Sequence, residues 1–163
     1  GTALQALRSL GAGLPRVKAD PGDLDARLKC MMGAWLSMVG IVSGTRLGAS
    51  HAIGHILGGS AGVPHGHTSC VMLPYVLEYN ASVNAGLQAE VAAALGHAGE
   101  PASAVLDALI GGLGMPRRLR EVQVREDDLP RLADNCMLDD WTFSNPRRID
   151  SPEQVLEILR SAW

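Results

Sequence analysis

The residues best suited to chemistry in this chain are four of its five histidines, His51, His55, His65 and His67. His51 and His55 are four residues apart, so on a helix their imidazoles project from one face about one turn from each other. The glycine-rich segment 58–64 then turns the chain back, which lets His65 face the same site. Because imidazole is a common ligand of divalent transition metals, the cluster indicates a small polar site suited to metal binding.

A histidine pair at helical spacing is, taken alone, equally consistent with ordinary core or surface positions. No carboxylate occurs between Asp25 and Glu78. Glu78 follows His65 by 13 residues, and that separation spans roughly 20 Å along a straight helix. Glu78 therefore cannot readily join His65 on one ion, and the remaining ligands of a metal site must come from outside this segment.

Helices must position these histidines, because strand signals are poor throughout the chain. Only six residues are aromatic, three Trp, two Tyr and one Phe, and no segment alternates apolar and polar residues for long. Apolar residues recur instead at helical spacing from Leu4 to Ala162. The sequence predicts an all-α bundle of seven to nine helices that forms a single domain over residues 1–163.

Several of these helices carry specific expectations. Leu4, Leu7 and Leu10 predict a short first helix that ends at a break near residues 11–15. A long helix over 23–43 has a wide apolar face, which predicts a bundle-core position for Met31, Met32, Trp35 and Met38. Further helices are predicted over 49–59, 65–79 with a kink at Pro74, 82–95, 102–113, 126–136 and 152–162.

Composition excludes several classes of function. The net charge is −3 and the basic residues are scattered, which argues against a nucleic-acid partner. The longest apolar stretch, 31–42, is interrupted by glycine and serine and falls short of the roughly 20 residues that a membrane span needs. The three cysteines are widely separated, and the chain begins in a helical pattern without a secretory signal. We therefore expect a cytoplasmic protein with reduced thiols, and we expect the chain to be part of a longer polypeptide.

The histidine segment belongs to a longer pattern, His51-x3-His55-x9-His65-Gly followed by Leu73-Pro-x-Val-x3-Asn80. This pattern resembles the C-terminal signature of the iron-containing, or group III, alcohol dehydrogenases. The resemblance extends over nearly the whole chain, through Trp141 to Arg147 and a final helix. The amino-acid sequence around His51 and His65 most resembles that of the maleylacetate reductase branch.

The resemblance implies an N-terminal αβ domain that binds NAD(P) and a helical domain that holds one divalent metal, Fe2+ or Zn2+, through an Asp and three His. The first Asp and first His would precede the segment matching Leu4 to Leu10 and are absent here. His51 and His65 match the two remaining metal ligands. His55 matches a catalytic histidine near the nicotinamide and substrate, which orients groups or transfers a proton.

The function implied is that of the metal- and substrate-binding half of an NAD(P)-dependent oxidoreductase that interconverts an alcohol and a carbonyl, inactive without the missing nucleotide-binding domain. Asn145 and Arg147 are candidates for lining the substrate cleft. A homo-oligomer is expected, because loss of a partner domain would leave apolar side chains uncovered around residues 51–65. Two alternatives stay open: a free-standing helical module that binds metal or a protein, and a remnant without a ligand.

Overall fold

The computed structural model describes all 163 residues and contains seven α-helices and no strand, which confirms the all-α prediction. The helices are α1 (Thr2–Ala19), α2 (Leu24–Val42), α3 (Ala49–Ala61), α4 (His65–Ala94), α5 (Ala102–Gly112), α6 (Leu129–Cys136) and α7 (Pro152–Ala162), with 3-10 turns at Leu119–Val122 and Glu126–Asp128. None of them combines the length and apolar composition needed to cross a bilayer.

The chain forms two compact units. The first unit comprises residues 1–45 and 86–113, and it contains α1, α2, α5 and the end of α4. The second unit comprises residues 46–85 and 114–163, and it contains α3, the start of α4, α6 and α7. All four histidines of the cluster therefore belong to the second unit.

The helices α1 and α2 of the first unit form a hairpin. Asp23 caps α2, because its side chain accepts a hydrogen bond from the Ala26 backbone N–H at 3.0 Å. The guanidinium of Arg16, near the end of α1, pairs with Asp23 at 2.7 Å and with Asp25 at 3.1 Å. These exposed ion pairs add little stability by themselves, and they join the end of α1 to the start of α2.

Glycines bring the two helices of this hairpin into close contact. A Cβ on Gly13 would lie 2.7 Å from the Cys30 sulfur and 3.0 Å from the Ala26 carbonyl oxygen, and one on Gly33 would lie 2.8 Å from Leu10 Cγ. The prediction of a short first helix is wrong, since α1 runs unbroken through residues 11–15. Gly13, one of the glycines that suggested a break, is needed for this close approach.

The prediction that α2 lies in the core with its large side chains buried is also wrong. Trp35 and Met38 have 65% and 48% of their surface exposed. The large apolar residues recur at spacings of four and three, which places them in a sector of about 80° at 100° per residue. The buried residues Ala26 and Gly33 lie on the opposite face, against α1. We call the exposed set the α2 apolar stripe: Leu24, Leu28, Met31, Trp35, Met38 and Val42; the adjacent Met32 is 47% exposed.

A continuous core holds the second unit together. It is built from α3, α4, α6 and α7, and its largest fully buried members include Ile53, Leu57, Met72, Leu132 and Leu159. Helix α4 continues through Pro74 without a residue of non-helical backbone geometry there. The departure from helical geometry occurs at Asn84, with φ −138° and ψ 28°, close to the boundary between the two units.

Candidate functional site

Helix α3 presents His51 and His55 one turn apart, as the sequence predicts. It ends at Gly62, whose left-handed φ of 67° is a conformation that glycine adopts without strain. The Val63 N–H then donates to the Leu57 carbonyl at 3.2 Å, which closes the helix end. The chain consequently turns at once into α4, and His65 is the first residue of that helix.

The start of α4 packs closely on α3. A Cβ on Gly54 would lie only 3.0 Å from Oγ1 of Thr68, a residue that is 2% exposed. The Thr68 hydroxyl donates to the His65 carbonyl oxygen at 2.8 Å, which ties the first turn of α4 together. Gly54 therefore serves helix packing, and this packing sets where His65 lies relative to His51.

Two neighbouring imidazoles act electrostatically on His51. The pKa of His51 is lowered, first by burial and then by the charges that His55 and His65 carry when protonated. His51 is thus biased toward its neutral form, which is the form that binds a metal ion. This supports the chemistry of the predicted ligand pair His51 and His65, although no group of three or more His, Cys, Asp or Glu side chains is arranged to hold a metal.

Sequence reasoning missed two neighbours of the histidines, Asp139 and Trp141. The Asp139 Oδ2 atom lies 2.7 Å from the Nδ1 atom of His55. The Trp141 ring lies 4.9 Å from the ring of His55 at an interplanar angle of 37°, and 6.1 Å from that of His51 at 78°. Asp139 is 84 residues from His55 along the chain, so local periodicity carried no signal for this contact.

A buried pair of asparagines fastens the segment that carries these neighbours. The Asn145 Oδ1 atom accepts from Asn80 Nδ2 at 3.2 Å and from the backbone N–H of Ala49 at 3.3 Å. The Asn145 Nδ2 atom donates to Asn80 Oδ1 and to the Arg147 carbonyl, each at 2.7 Å. The segment 139–147 is therefore fixed to α4 and to Ala49, the first residue of α3. Helix α3 carries His51 and His55.

Arg147 extends this attachment. Its guanidinium lies 4.0 Å from the centre of the Tyr79 ring and donates to the Tyr79 carbonyl at 3.3 Å. It also lines a cavity of about 170 Å³ whose lining includes Glu78 and Glu157 but none of the histidines. The structure thus gives Asn145 and Arg147 partners within the protein, and their binding of substrate stays a prediction.

Comparison with known proteins gives a consistent result. The C-terminal model of the Fe-containing alcohol dehydrogenase family matches residues 1–163. The chain is 32% identical to 1,3-propanediol dehydrogenase of Klebsiella pneumoniae over 99% of its own length and 43% of that protein's. It is 36% identical to maleylacetate reductase of Pseudomonas aeruginosa, over 92% of its own length and 41% of that protein's.

A solved structure agrees in fold. The iron-containing alcohol dehydrogenase from Corynebacterium glutamicum superimposes with a TM-score of 0.87 at 28% identity, over 99% of this chain and 44% of that one. The chain thus spans less than half the length of the relatives it matches. With the family pattern, the helical fold and the histidine geometry in agreement, the chain belongs to the Fe-containing alcohol dehydrogenase family and corresponds to its C-terminal part.

Proposed function

We propose that this chain is the metal- and substrate-binding half of an NAD(P)-dependent oxidoreductase that interconverts an alcohol and a carbonyl by hydride transfer. The observation that carries the proposal is the grouping of His51, His55 and His65 on two adjoining helices, in a chain of this family. The relatives' names point to small oxygenated substrates, 1,3-propanediol in one case and maleylacetate in another. We propose a substrate of this general class, a small alcohol or carbonyl compound.

In this proposal His51 and His65 hold a divalent metal, Fe2+ or Zn2+, and further ligands come from the rest of the enzyme. Two imidazoles suit either ion but are fewer than the three protein ligands of a typical catalytic site. When bound, the metal would act as a Lewis acid that lowers the pKa of the substrate hydroxyl and polarises a carbonyl. The lowered pKa of His51 supports its role, since a neutral imidazole offers its lone pair without first losing a proton.

His55 has a different role in this proposal. It lies one helical turn from His51 and is held by Asp139 at 2.7 Å, so one of its two nitrogens is already occupied within the protein. The other nitrogen is available to orient the substrate or to transfer its proton. The nicotinamide carries the hydride, and the protein supplies positioning and electrostatics for that transfer.

Catalysis in this proposal also requires a nucleotide-binding half. The α2 apolar stripe supports a covering partner, because such large exposed apolar faces mark interaction surfaces. Around the histidines, Ile53, Leu57 and Val63 of the segment 51–65 are buried, whereas Leu138 and Phe143, which flank Asp139 and Trp141, are exposed. We propose that the N-terminal half covers the stripe, that the chain alone self-associates through it, and that the protein is cytoplasmic, where its three free cysteines stay reduced.

The stripe also favours a second candidate function, a helical module that binds a protein or a metal without catalysis. The two candidates differ in what the complete reading frame encodes and in what the complete polypeptide does. A nucleotide-binding domain that ends in an Asp-x3-His helix upstream of residue 1 favours the oxidoreductase. A start codon directly before residue 1 favours the module.

The test compares the 163-residue chain with the intact polypeptide. We expect the purified chain to show no NAD(P)-dependent oxidation of alcohols or reduction of carbonyls, because the nucleotide site and part of the metal site are missing. The intact polypeptide is expected to show both reactions. Circular dichroism of the chain serves as the control that it is folded, and robust turnover by the folded chain alone would contradict the proposal.

A further inference from the structure

The carboxylate of Asp139 is fixed in direction at both of its oxygens. Its Oδ2 atom faces His55 Nδ1 at 2.7 Å, and its Oδ1 atom accepts the backbone N–H of Trp141 at 2.9 Å. The side chain of Asp139 is 18% exposed and that of His55 is 43% exposed. The acid is thus the more buried partner, and its second oxygen is held by its own backbone turn.

The loop around Asp139 is itself anchored. The Thr142 hydroxyl, in a residue that is 1% exposed, donates to the Cys136 carbonyl at 2.6 Å, which ties the loop to the end of α6. Asn145 fastens the same loop to Asn80 of α4. The Trp141 ring then packs beside the imidazole of His55. A single rigid segment therefore supplies both the carboxylate and the ring that restrict rotation of His55.

This arrangement determines which nitrogen of His55 carries the proton. A carboxylate is only an acceptor, so a contact of 2.7 Å to Nδ1 requires hydrogen on that nitrogen. In the neutral imidazole the lone pair must then be on Nε2. Without the carboxylate either nitrogen could carry the hydrogen. Some of the molecules would then have an N–H at Nε2, the position that needs a free lone pair to act as a base.

We infer that Asp139 is the positioning residue for His55, holding it in the Nδ1–H tautomer so that Nε2 exchanges the proton of the substrate oxygen. The inference rests on the proposed function. In alcohol oxidation the hydroxyl proton passes to Nε2, while the C–H hydrogen leaves with its electron pair to the nicotinamide. Asp139 then accepts a hydrogen bond from the resulting imidazolium, and in carbonyl reduction the proton returns from Nε2 to oxygen.

The first experiment reads the tautomer directly in the 163-residue chain by long-range 1H–15N correlation NMR at a pH where His55 is neutral. We expect the Nδ1–H tautomer in the wild type. In Asp139→Asn the amide can donate to Nδ1, so we expect a shift toward Nε2–H. The neighbouring exposed acid provides the matched control, because Asp140→Asn should leave the tautomer unchanged.

The wild-type spectrum tests the inference even if Asp139→Asn fails to fold. A wild-type His55 in the Nε2–H tautomer would overturn it, as would an unchanged tautomer in a folded Asp139→Asn variant. Because this measurement requires no turnover, it separates the inference from the proposed function. The expected tautomer in a protein whose intact form lacks oxidoreductase activity would overturn the proposed function alone.

The second experiment uses the intact polypeptide. We expect Asp139→Asn to lower kcat by about 10²–10⁴-fold, the range associated with a general acid or base or with loss of the correct tautomer. KM and metal content should change less than about threefold, and Asp139→Glu should recover part of the activity. Parallel loss of metal and turnover would overturn the inference, because it would make Asp139 part of the metal site or a purely structural residue.

Discussion

His51 illustrates how neighbouring residues favour the neutral form of an imidazole, which is the form that can bind a metal ion. Burial and the positive charges that His55 and His65 can carry both disfavour its protonated form. The same shift links this residue to folding stability. With its pKa lower in the folded than in the unfolded state, the folded chain binds fewer protons, and its stability falls as the pH drops below the ordinary histidine value.

For this residue we predict that the change His51→Gln makes the free energy of unfolding fall less between pH 7.5 and pH 5 than it does in the wild type. The replacement removes the imidazole whose protonation the folded state opposes. Urea unfolding at the two pH values measures the effect, and His67→Gln is the control because His67 is not among the charges that act on His51. If the free energy of unfolding had the same pH dependence in wild type and His51→Gln, the lowered pKa of His51 would contribute nothing to stability.

The pair Asn80 and Asn145 carries a second prediction. Each is at most 6% exposed, and each supplies both a donor and an acceptor to the other. Replacing either by Ala leaves a buried polar partner, so we expect a loss of about 1–3 kcal/mol in the free energy of unfolding.

Chemical denaturation of both single variants and of the double variant checks this prediction. The double variant should lose less than the sum of the two single losses, because residues in contact are not independent. Strictly additive losses would mean that the two asparagines act separately.

Among the elements, α2 shows where sequence reasoning succeeds and where it fails. The 3.6-residue period predicted the helix and the face that carries its large apolar residues. It could not show that this face lies away from α1, because close packing there requires the small residues Ala26 and Gly33. Similarly, Gly13 of α1 suggests a break when only the local sequence is considered, because its packing role depends on Cys30 and Ala26 of the facing helix.

The same reasoning explains what could be predicted of the site. Spacing along one helix placed His51 and His55 on one face, and the glycine-rich loop predicted the return to His65. The contact between His55 and Asp139 depends on how α3 and the segment after α6 pack together. Local sequence patterns carry no signal for such a contact, whereas they do predict two helices, 65–79 and 82–95, where the structure has α4 with a break at Asn84.

For the α2 apolar stripe we predict that the 163-residue chain self-associates and that the change Met31→Lys with Trp35→Glu abolishes the association. At about 1.5–3 kcal/mol for each fully buried large side chain, the stripe offers ample free energy for association. Sedimentation velocity over a range of concentrations measures it. The control is Ser37→Lys, at an exposed polar position on the same helix outside the stripe.

Two results would contradict this prediction. The first is a wild-type chain that remains monomeric at high concentration. The second is continued association of the Met31→Lys, Trp35→Glu variant while circular dichroism shows that its helices are intact. Either result would mean that the stripe does not join copies of this chain.

At the scale of the whole molecule, the chain spans less than half the length of its relatives. We propose that it is part of a larger catalytic unit. In that proposal the ligand pair His51 and His65 needs additional donors, and the α2 apolar stripe needs a covering partner. Both requirements are met if the rest of the enzyme contributes metal ligands and a packing surface together.

The most direct test of this function measures metal content and kcat on three variants of the intact polypeptide, His51→Ala, His65→Ala and His55→Ala. We predict that the first two lose metal and activity together, because each removes a ligand. His55→Ala should keep its metal while kcat falls by about 10²–10⁴-fold, as expected for loss of a proton-transfer group. Full metal content in both His51→Ala and His65→Ala would contradict the assignment.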